Sequence, residues 1–288
     1  MNYAQLRAFH GVAETGSVTR AAERLGVSQP AITVQIKALE EAYGVELFHR
    51  VNRRLSLTKL GEELHAISQR SFAAFDEAAT ILNESGGLEH GSLTVGADGP
   101  YHVMTHLAAF RERYPNIKVS LAIGNSDDML EDLLAYRTDV AVLARLVDDE
   151  RLDFHHVARH RLVVFVPRSH AWGRRRSIAV GQLDGTPMIL REQGSNTRRV
   201  FEAALAERGI KPEVVMEIES REAVREAVAA GLGVGVVNEA EFGEDERLVA
   251  IPLRDADITT DEYVVCRADR RSQRAVRAFV ELMDQQSP

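Results

Sequence analysis

Cysteine occurs once in this 288-residue chain, as Cys266. A single thiol excludes an internal disulfide and every multi-cysteine zinc module, and it fits a reducing compartment. Long apolar runs are missing too. A stretch such as Leu162–Val166 is far short of the ~20 residues that a membrane helix needs. The opening Met1-Asn2-Tyr3-Ala4-Gln5 has no basic leader followed by an apolar core, so no secretory signal is read and a cytoplasmic location is expected. No lysine-containing P-loop and no nucleophile elbow occurs. Gly231-Leu232-Gly233-Val234-Gly235 has glycines spaced as in a dinucleotide loop, but it follows a helical pattern and enters a strand pattern, the reverse of that motif. His155, His156 and His160 fall in a polar connection and read as exposed rather than as metal ligands, and Arg174-Arg175-Arg176 reads as a solvated loop. No enzymatic activity, metal or cofactor is therefore expected. What remains is 45% hydrophobic and 27% charged, an ordinary soluble profile with length for two or three domains.

The formal net charge of −8 by itself argues against nucleic acid. Its distribution does not. Residues 1–60 hold eight basic and five acidic side chains, a net of +3, so the other 228 residues carry −11. A basic head on an acidic body is the footprint of a phosphate-binding module joined to something else.

Within the head, Leu6, Phe9, Val12 and Ala13 recur at helical spacing behind the N-cap candidate Asn2. Gly16 ends that helix. Ser17 caps a second, with Ala21, Ala22 and Leu25 inward, and Gly26 permits a sharp turn. Ser28 caps a third, with Pro30 in its first turn, where a missing N–H costs nothing. Ile32, Ile36 and Leu39 form its buried stripe. Helix, glycine turn, helix is a helix-turn-helix, whose second helix enters the major groove. Off the stripe lie Ser28, Gln29, Pro30, Thr33, Val34 and Lys37. Gln can pair with an adenine edge, Thr and Pro can pack on thymine methyls, and Lys37 can reach a phosphate. The segment Phe48–Thr58 reads as a two-stranded wing, with Arg50, Arg53 and Arg54 facing the backbone or the minor groove.

Residues 1–61 resemble the winged helix-turn-helix of LysR-type transcriptional regulators. The matching residues are Phe9, Ala13, Gly16-Ser17, Ala21-Ala22, Leu25, Ser28-Gln29-Pro30-Ala31, Gln35-Ile36, Leu39-Glu40, Gly44, Leu47-Phe48, Arg50, Leu57-Thr58 and Gly61. Val34 departs from the basic residue that many members carry. The resemblance implies an all-α winged helix-turn-helix head (1–58), a linker and dimerisation helix (59–87), and an effector-binding domain (88–288). It also implies double-stranded DNA with an interrupted palindrome as partner, a small-molecule effector, and a homodimer or homotetramer that does not touch membrane. The linker fits this reading. Leu60, Leu64, Ile67, Ala74 or Phe75, Ala78, and Ile81 or Leu82 make a coiled-coil-like stripe interrupted at Ser71. No proline occurs between positions 31 and 99, and Ser85-Gly86-Gly87 opens a hinge.

Beyond residue 90, strand and helix patterns alternate, which predicts an α/β body of two parallel-sheet lobes. The strands fall at 92–97, 118–123, 140–144, 161–166, 188–190, 213–218, 235–237 and 261–266. The helices fall at 102–114, 127–136, 198–208, 221–230 and 272–283. The region resembles LysR effector domains, which are similar to type 2 periplasmic binding proteins, with lobe I at about 91–160 and 267–288 and lobe II at about 161–266. Ligands in that architecture sit between the lobes at helix N-termini. The candidates are Gly99, Pro100, Tyr101, Asn125, Ser126, Ser195, Asn196, Thr197, Arg198, Ser220 and Arg221, with Asp98, Asp127 or Glu239 as acceptors for an ammonium. Ser126, Thr197 and Ser220 read either as plain N-caps or as parts of an oxyanion site. Pro100-Tyr101, Asn125-Ser126, Gly194–Arg198 followed by Phe201-Glu202, and the run Ser220–Gly233 continuing through Glu239–Gly243 resemble LysR regulators associated with 2-aminoethylphosphonate catabolism. Asn196 departs from that pattern. The function implied is a ligand-responsive regulator sensing a small phosphonate. The alternatives are another small anion or a solute-binding module with a DNA anchor.

Overall fold

The computed structural model describes residues 1–51, 54–83, 91–101 and 103–286. The chain forms two units, residues 1–83 and 84–288.

In the first unit, α1 (Tyr3–Thr15) starts at a reciprocal cap. Asn2 Oδ1 accepts from the Gln5 N–H and Gln5 Oε1 accepts from the Asn2 N–H, both at 2.9 Å. It ends at Gly16, whose φ of +61° is costly for other residues. Ser17 caps α2 (Val18–Leu25) and Ser28 caps α3 (Gln29–Tyr43). The wing pairs β1 (Phe48–Val51) with β2 (Arg54–Leu57) antiparallel, Arg50 opposite Leu55. Phe9, Val12, Ala21, Ile32, Ile36, Leu39 and Leu47 form one buried core.

The linker helix α4 (Lys59–Asn83) starts at Thr58, whose Oγ1 accepts from the Gly61 N–H at 3.0 Å. The stripe along α4 divides. Leu64 packs into the head core, while Leu60, Ile67 and Phe75 are exposed large hydrophobics. Leu64 thus serves the head rather than an intermolecular seam. Ser71 leaves the helix unbroken by donating its hydroxyl to Ile67 O at 2.9 Å. The side chains of Ile81 and Leu82, and the whole of Ser85-Gly86-Gly87, lie outside the described residues.

In the second unit, β3 (Gly91–Ala97) lies parallel to β4 (Ile117–Ile123) and β5 (Val140–Leu143). Helices α5 (Met104–Arg113) and α6 (Ser126–Leu134) connect them. The expected loop before residue 161 is instead the first half of β6, a 16-residue strand from Leu152 to Pro167. It runs antiparallel to β11 (Thr259–Arg267) over residues 152–161. Its second half pairs antiparallel with β9 (Gly235–Asn238) and with β10 (Leu248–Pro252), a strand the pattern did not reveal. Strands β7 (Pro187–Arg191) and β8 (Glu213–Ile218) pair in parallel there, with single parallel bridges at Met188–Val234 and Ile178–Leu253. Both lobes therefore carry mixed rather than all-parallel sheets.

Strand β6 belongs to both lobes, and β11 begins at the crossing between them. Cys266 lies in the lobe I core with Phe110 and Phe279, whereas Ile258 lies in the lobe II core with Met188 and Phe201. The return crossing thus falls at residues 258–260, earlier than Cys266. The polar stretch 152–160 looked like a loop because its outward side chains are charged. Distant partners satisfy them: on the paired strand, His156 Nε2 lies 3.0 Å and Arg159 Nε 2.6 Å from Asp261 Oδ1, and His155 lies 3.4 Å from Asp284, farther along the chain in the helix at 274–286. Helices α7 (Asn196–Ala206), α8 (Arg221–Ala229) and α9 (Arg274–Gln286) complete the body. Gly231–Gly235 ends α8 and enters β9, with Gly231 at φ +80°.

Gly61 offers a test of how closely the wing meets α4. A Cβ at this position would stand 2.3 Å from Leu47 O, a backbone atom. Gly→Ala inside a helix ordinarily stabilises by about 1 kcal/mol. Here overpacking of about 1–3 kcal/mol opposes it. Gly61→Ala is expected to lower the thermal midpoint of the full-length protein. A raised midpoint would show that α4 stands off the wing.

Candidate functional sites: nucleic-acid interface and effector cleft

The face of α3 opposite its buried stripe is open. Ser28, Gln29, Pro30, Thr33, Val34 and Lys37 are all exposed. Thr33 Oγ1 donates to Gln29 O at 3.0 Å. Lys37 Nζ lies 3.4 Å from Glu41, a solvated pair that contributes little. Val34 is 62% exposed; an apolar side chain among donors suits a thymine methyl in a major groove. Arg50 and Arg54 stand on the wing strands, but their side chains, and all of Arg53, lie outside the described residues.

The cleft is built where strand ends meet helix starts. Asp98 follows β3, Asn125 and Ser126 open α6, Ala144 follows β5, and Ser195, Asn196 and Thr197 open α7. With Arg191, Arg221, Asn238, Glu241 and Thr260 they line the narrow floor between the lobes. The outer cleft, about 480 Å³, adds Pro100, Gly124, Asp128, Glu192, Ser220 and Glu222. The lobes touch across the floor. Asn196 Nδ2 donates to Ala144 O at 2.6 Å, and a Cβ on Gly194 would lie 2.7 Å from Asn125 Nδ2.

Several candidate residues take parts other than those expected. Ser126 is not the cap of α6. Asn125 is, accepting from the Asp128 N–H at 2.9 Å, while the buried Ser126 hydroxyl donates to Asp98 Oδ2. Ser195 holds the cap position of α7 without a capping hydrogen bond, and Thr197 stands inside the first turn. Ser220 does cap α8, accepting from the Ala223 N–H at 3.3 Å. Arg198 turns away from the cleft. It is 6% exposed, donating through Nη1 to Arg191 O at 2.6 Å and to Glu217 at 2.5 Å, and through Nε to Glu202 at 3.0 Å. The cleft's arginines are Arg191 and Arg221. Arg191 sits in a two-bond pair with Glu192, at 2.7 and 2.9 Å. Glu239 is exposed and lies by Arg161 on a separate surface pocket. The short 3-10 turn Glu239–Glu241 sends its last carboxylate inward instead. Asp127 pairs with Arg145. Tyr101 is exposed beside Phe165 and Phe242 rather than on the floor. Gly99 lies against the charged floor: a Cβ there would meet Arg221 Nη1 at 2.3 Å and Glu241 Oε1 at 3.0 Å, so a larger residue would have to displace those side-chain ends.

Sequence pattern did not reveal the charge of this floor. Arg221 Nη2 lies 3.2 Å from Glu241. Asp98, Glu241 and Glu262 are all buried. Burial pushes the Asp98 carboxyl up, against the pull of Arg221, the Ser126 hydroxyl and the Ala144 N–H. Burial, then the charges of Asp98 and Glu241, raise Glu262 well above the ordinary carboxylate range. Asp98 and Glu241 beside the single Arg221 guanidinium give the floor an excess of carboxyls over cations, with Glu262 buried close by, while the α7 N-terminus, lacking a side-chain cap, favours an anion.

A family model described as the LysR substrate binding domain matches residues 86–288. A second, the bacterial regulatory helix-turn-helix protein of the lysR family, matches residues 3–62. The chain belongs to the LysR family. This LysR-family chain is 34% identical to the HTH-type transcriptional activator CmpR of Synechocystis over 236 residues, 81% of this chain and 78% of CmpR. It is 30% identical to the RuBisCO operon transcriptional regulator of Allochromatium vinosum over 285 residues, 97% of this chain and 94% of that one. Full-length OxyR from Pseudomonas aeruginosa shares the fold, with a TM-score of 0.75 at 23% identity over 98% of this chain and 94% of OxyR. The LysR assignment makes the protein a ligand-responsive transcriptional regulator and not an enzyme. Its partners are double-stranded DNA, a small-molecule effector and further copies of itself. Among the described residues no helix is long and apolar enough to cross a membrane.

Two tests follow from this geometry. Gln29→Ala is expected to relax preference at one base pair, at a cost of about 1–3 kcal/mol. Lys37→Ala should weaken binding to all sequences alike and reduce the salt slope by about 1. Mobility shifts over a salt series separate the two, and equal losses on specific and random DNA for Gln29→Ala would remove it from base reading. The second test concerns Glu262. Its folded-state pKa lies above the unfolded one, so the native state binds more protons between them, and its contribution to stability falls as pH rises through that window. Glu262→Gln should gain thermal stability over the parent as pH climbs from about 4, near the unfolded pKa. A difference that stays flat with pH would show that Glu262 is not proton-linked.

Proposed function

We propose that the cleft of this LysR-type regulator binds a small zwitterion whose anionic end sits at the start of α7 and whose ammonium faces the carboxyls below. The observation that carries the reading is the pairing of two opposite fields in one cleft. Ser195 makes no capping hydrogen bond, and with Thr197 and Arg191 it lines the floor beside Asp98 and Glu241. Hydroxyls, first-turn N–H groups and a guanidinium can all donate to phosphonate oxygens. 2-Aminoethylphosphonate is the first candidate, supported by the sequence resemblance over Gly194–Arg198 and Ser220–Gly243 and by this charge arrangement. The regulator is read as cytoplasmic, binding an interrupted palindrome as a dimer or tetramer. The exposed Leu60, Ile67 and Phe75 of α4 support a seam between copies.

A second reading is another small anionic metabolite, without an amine, held at the same α7 N-terminus beside Arg191 and Arg221. Calorimetry on the full-length protein separates them. Under the first reading 2-aminoethylphosphonate binds more tightly than ethylphosphonate, and both more tightly than sulfate. Thr197→Val should abolish the response while DNA binding persists. Binding of phosphorylated or carboxylated anions with no response to any phosphonate would overturn the phosphonate assignment and leave the two-lobed sensor standing.

A further inference from the structure

His10 and Glu14 are one turn apart on α1, and His65 faces them from α4. One donor atom from each of the three side chains lies within 4.8 Å of the others. His65 Nε2 is 2.9 Å from Glu14 Oε1, and both side chains are largely buried, at 17% and 14% exposed. The Gln69 amide donates to the same Glu14 oxygen at 3.2 Å. The Ser68 hydroxyl donates to His65 O at 2.8 Å, so toward His10 Nδ1, 3.0 Å away, it accepts. The proton of a neutral His10 is thereby held on Nδ1, which leaves Nε2 as the metal-competent atom.

From this arrangement we propose that His10, Glu14 and His65 form a binding site for a late first-row divalent cation, Zn²⁺ first, that clamps helix α1 of the head to linker helix α4. Two imidazoles and one carboxylate with a fourth position for water is a donor set that zinc accepts. In a tetrahedron with bonds of 2.0–2.1 Å, donors stand roughly 3.3 Å apart; the His65–Glu14 contact at 2.9 Å already matches that spacing to within an ångström, and the remaining donors, all within 4.8 Å, need to close by no more than about 1.5 Å. The second shell is present as well. Ser68 orients His10 and Gln69 holds Glu14, as metal-bound histidines and carboxylates require. The protonation states agree with this geometry. Burial lowers the His10 pKa, keeping the ring neutral, and the His65 hydrogen bond helps hold Glu14 ionised, down at about 2. On binding, the cation replaces the proton between His65 Nε2 and Glu14, and that proton moves to His65 Nδ1. A linear search does not find the site because 51 residues separate Glu14 from His65.

The test uses full-length protein stripped with a chelator and titrated with Zn²⁺ or Co²⁺ alone. One cation per chain is expected at micromolar affinity or tighter, with a raised thermal midpoint. Co²⁺ should give visible d–d bands without a thiolate charge-transfer band. His65→Gln keeps a donor to Glu14 but cannot ligate in the same way, and His10→Ala removes one imidazole. Each should weaken binding at least about tenfold, while His156→Ala on β6 leaves it unchanged. Absence of binding in the parent, binding that survives both His10→Ala and His65→Gln, or loss in His156→Ala instead would each overturn the assignment.

Discussion

Three carboxyls and one guanidinium shut into the seam between the lobes set the constraints on the effector domain. Asp98 accepts from the Ser126 hydroxyl and, at 2.8 Å, from the Ala144 N–H. One side chain thus ties together the end of β3, the start of α6 and the end of β5. From the other lobe Arg221 reaches Glu241 and presses on Gly99. Leaving any of these groups uncompensated in a dry seam costs several kcal/mol. The lobes therefore meet in a narrow set of arrangements, and a ligand entering the floor must replace the polar contacts that it displaces. Such a cluster contributes little net stability, since desolvation offsets attraction. What it does supply is discrimination, because a bare anion meets carboxylates and a bare cation meets a helix N-terminus.

Strand β6 continues from lobe I into lobe II, and β11, which starts at the crossing, pairs antiparallel with the lobe I half of β6, with a register shift between Glu262 and Tyr263. Glu262 belongs to the buried charge cluster, so the irregularity lies next to the charged floor. The Asn196–Ala144 hydrogen bond is a direct tie across the seam. Asn196 also accepts from Arg199, at 2.5 and 3.2 Å, so its amide is oriented before it crosses.

Much of the head was legible in the sequence because its signals are local. Asn2, Ser17 and Ser28 cap helices within three residues, and Gly16 and Gly26 end them. The effector cleft was legible only as segments. Strand ends and helix starts were found where expected, but which side chain enters the cleft depends on one residue of phase. Arg198 and Arg191 both border the α7 entry, and only packing against Glu202 and Glu217 reveals that Arg198 is committed elsewhere. Glu239 and Glu241 differ by half a turn, and the short turn that buries one exposes the other. The polar half of β6 was unreadable for a related reason. Its charged residues are satisfied by Asp261 and Asp284, more than a hundred residues away in sequence.

The division of the α4 stripe has a wider implication. A heptad-like pattern assigns its apolar residues to one seam, yet Leu64 goes to the head core and Ile67 to the open surface. Neighbouring positions of one stripe are thus divided between the core of the head and the open surface. His10, Glu14 and His65 lie along the first of these faces, where α1 meets α4. The interaction that fixes the head against its linker is therefore polar as well as apolar, with Phe72 stacked at 4.8 Å on His10 beside the Glu14–His65 pair. A purely apolar contact would tolerate sliding by a turn, because Leu, Ala and Phe replace one another at modest cost. A directional His–Glu–His arrangement does not, since its donors match in one register only. The angle at which the linker leaves the head is set by that register.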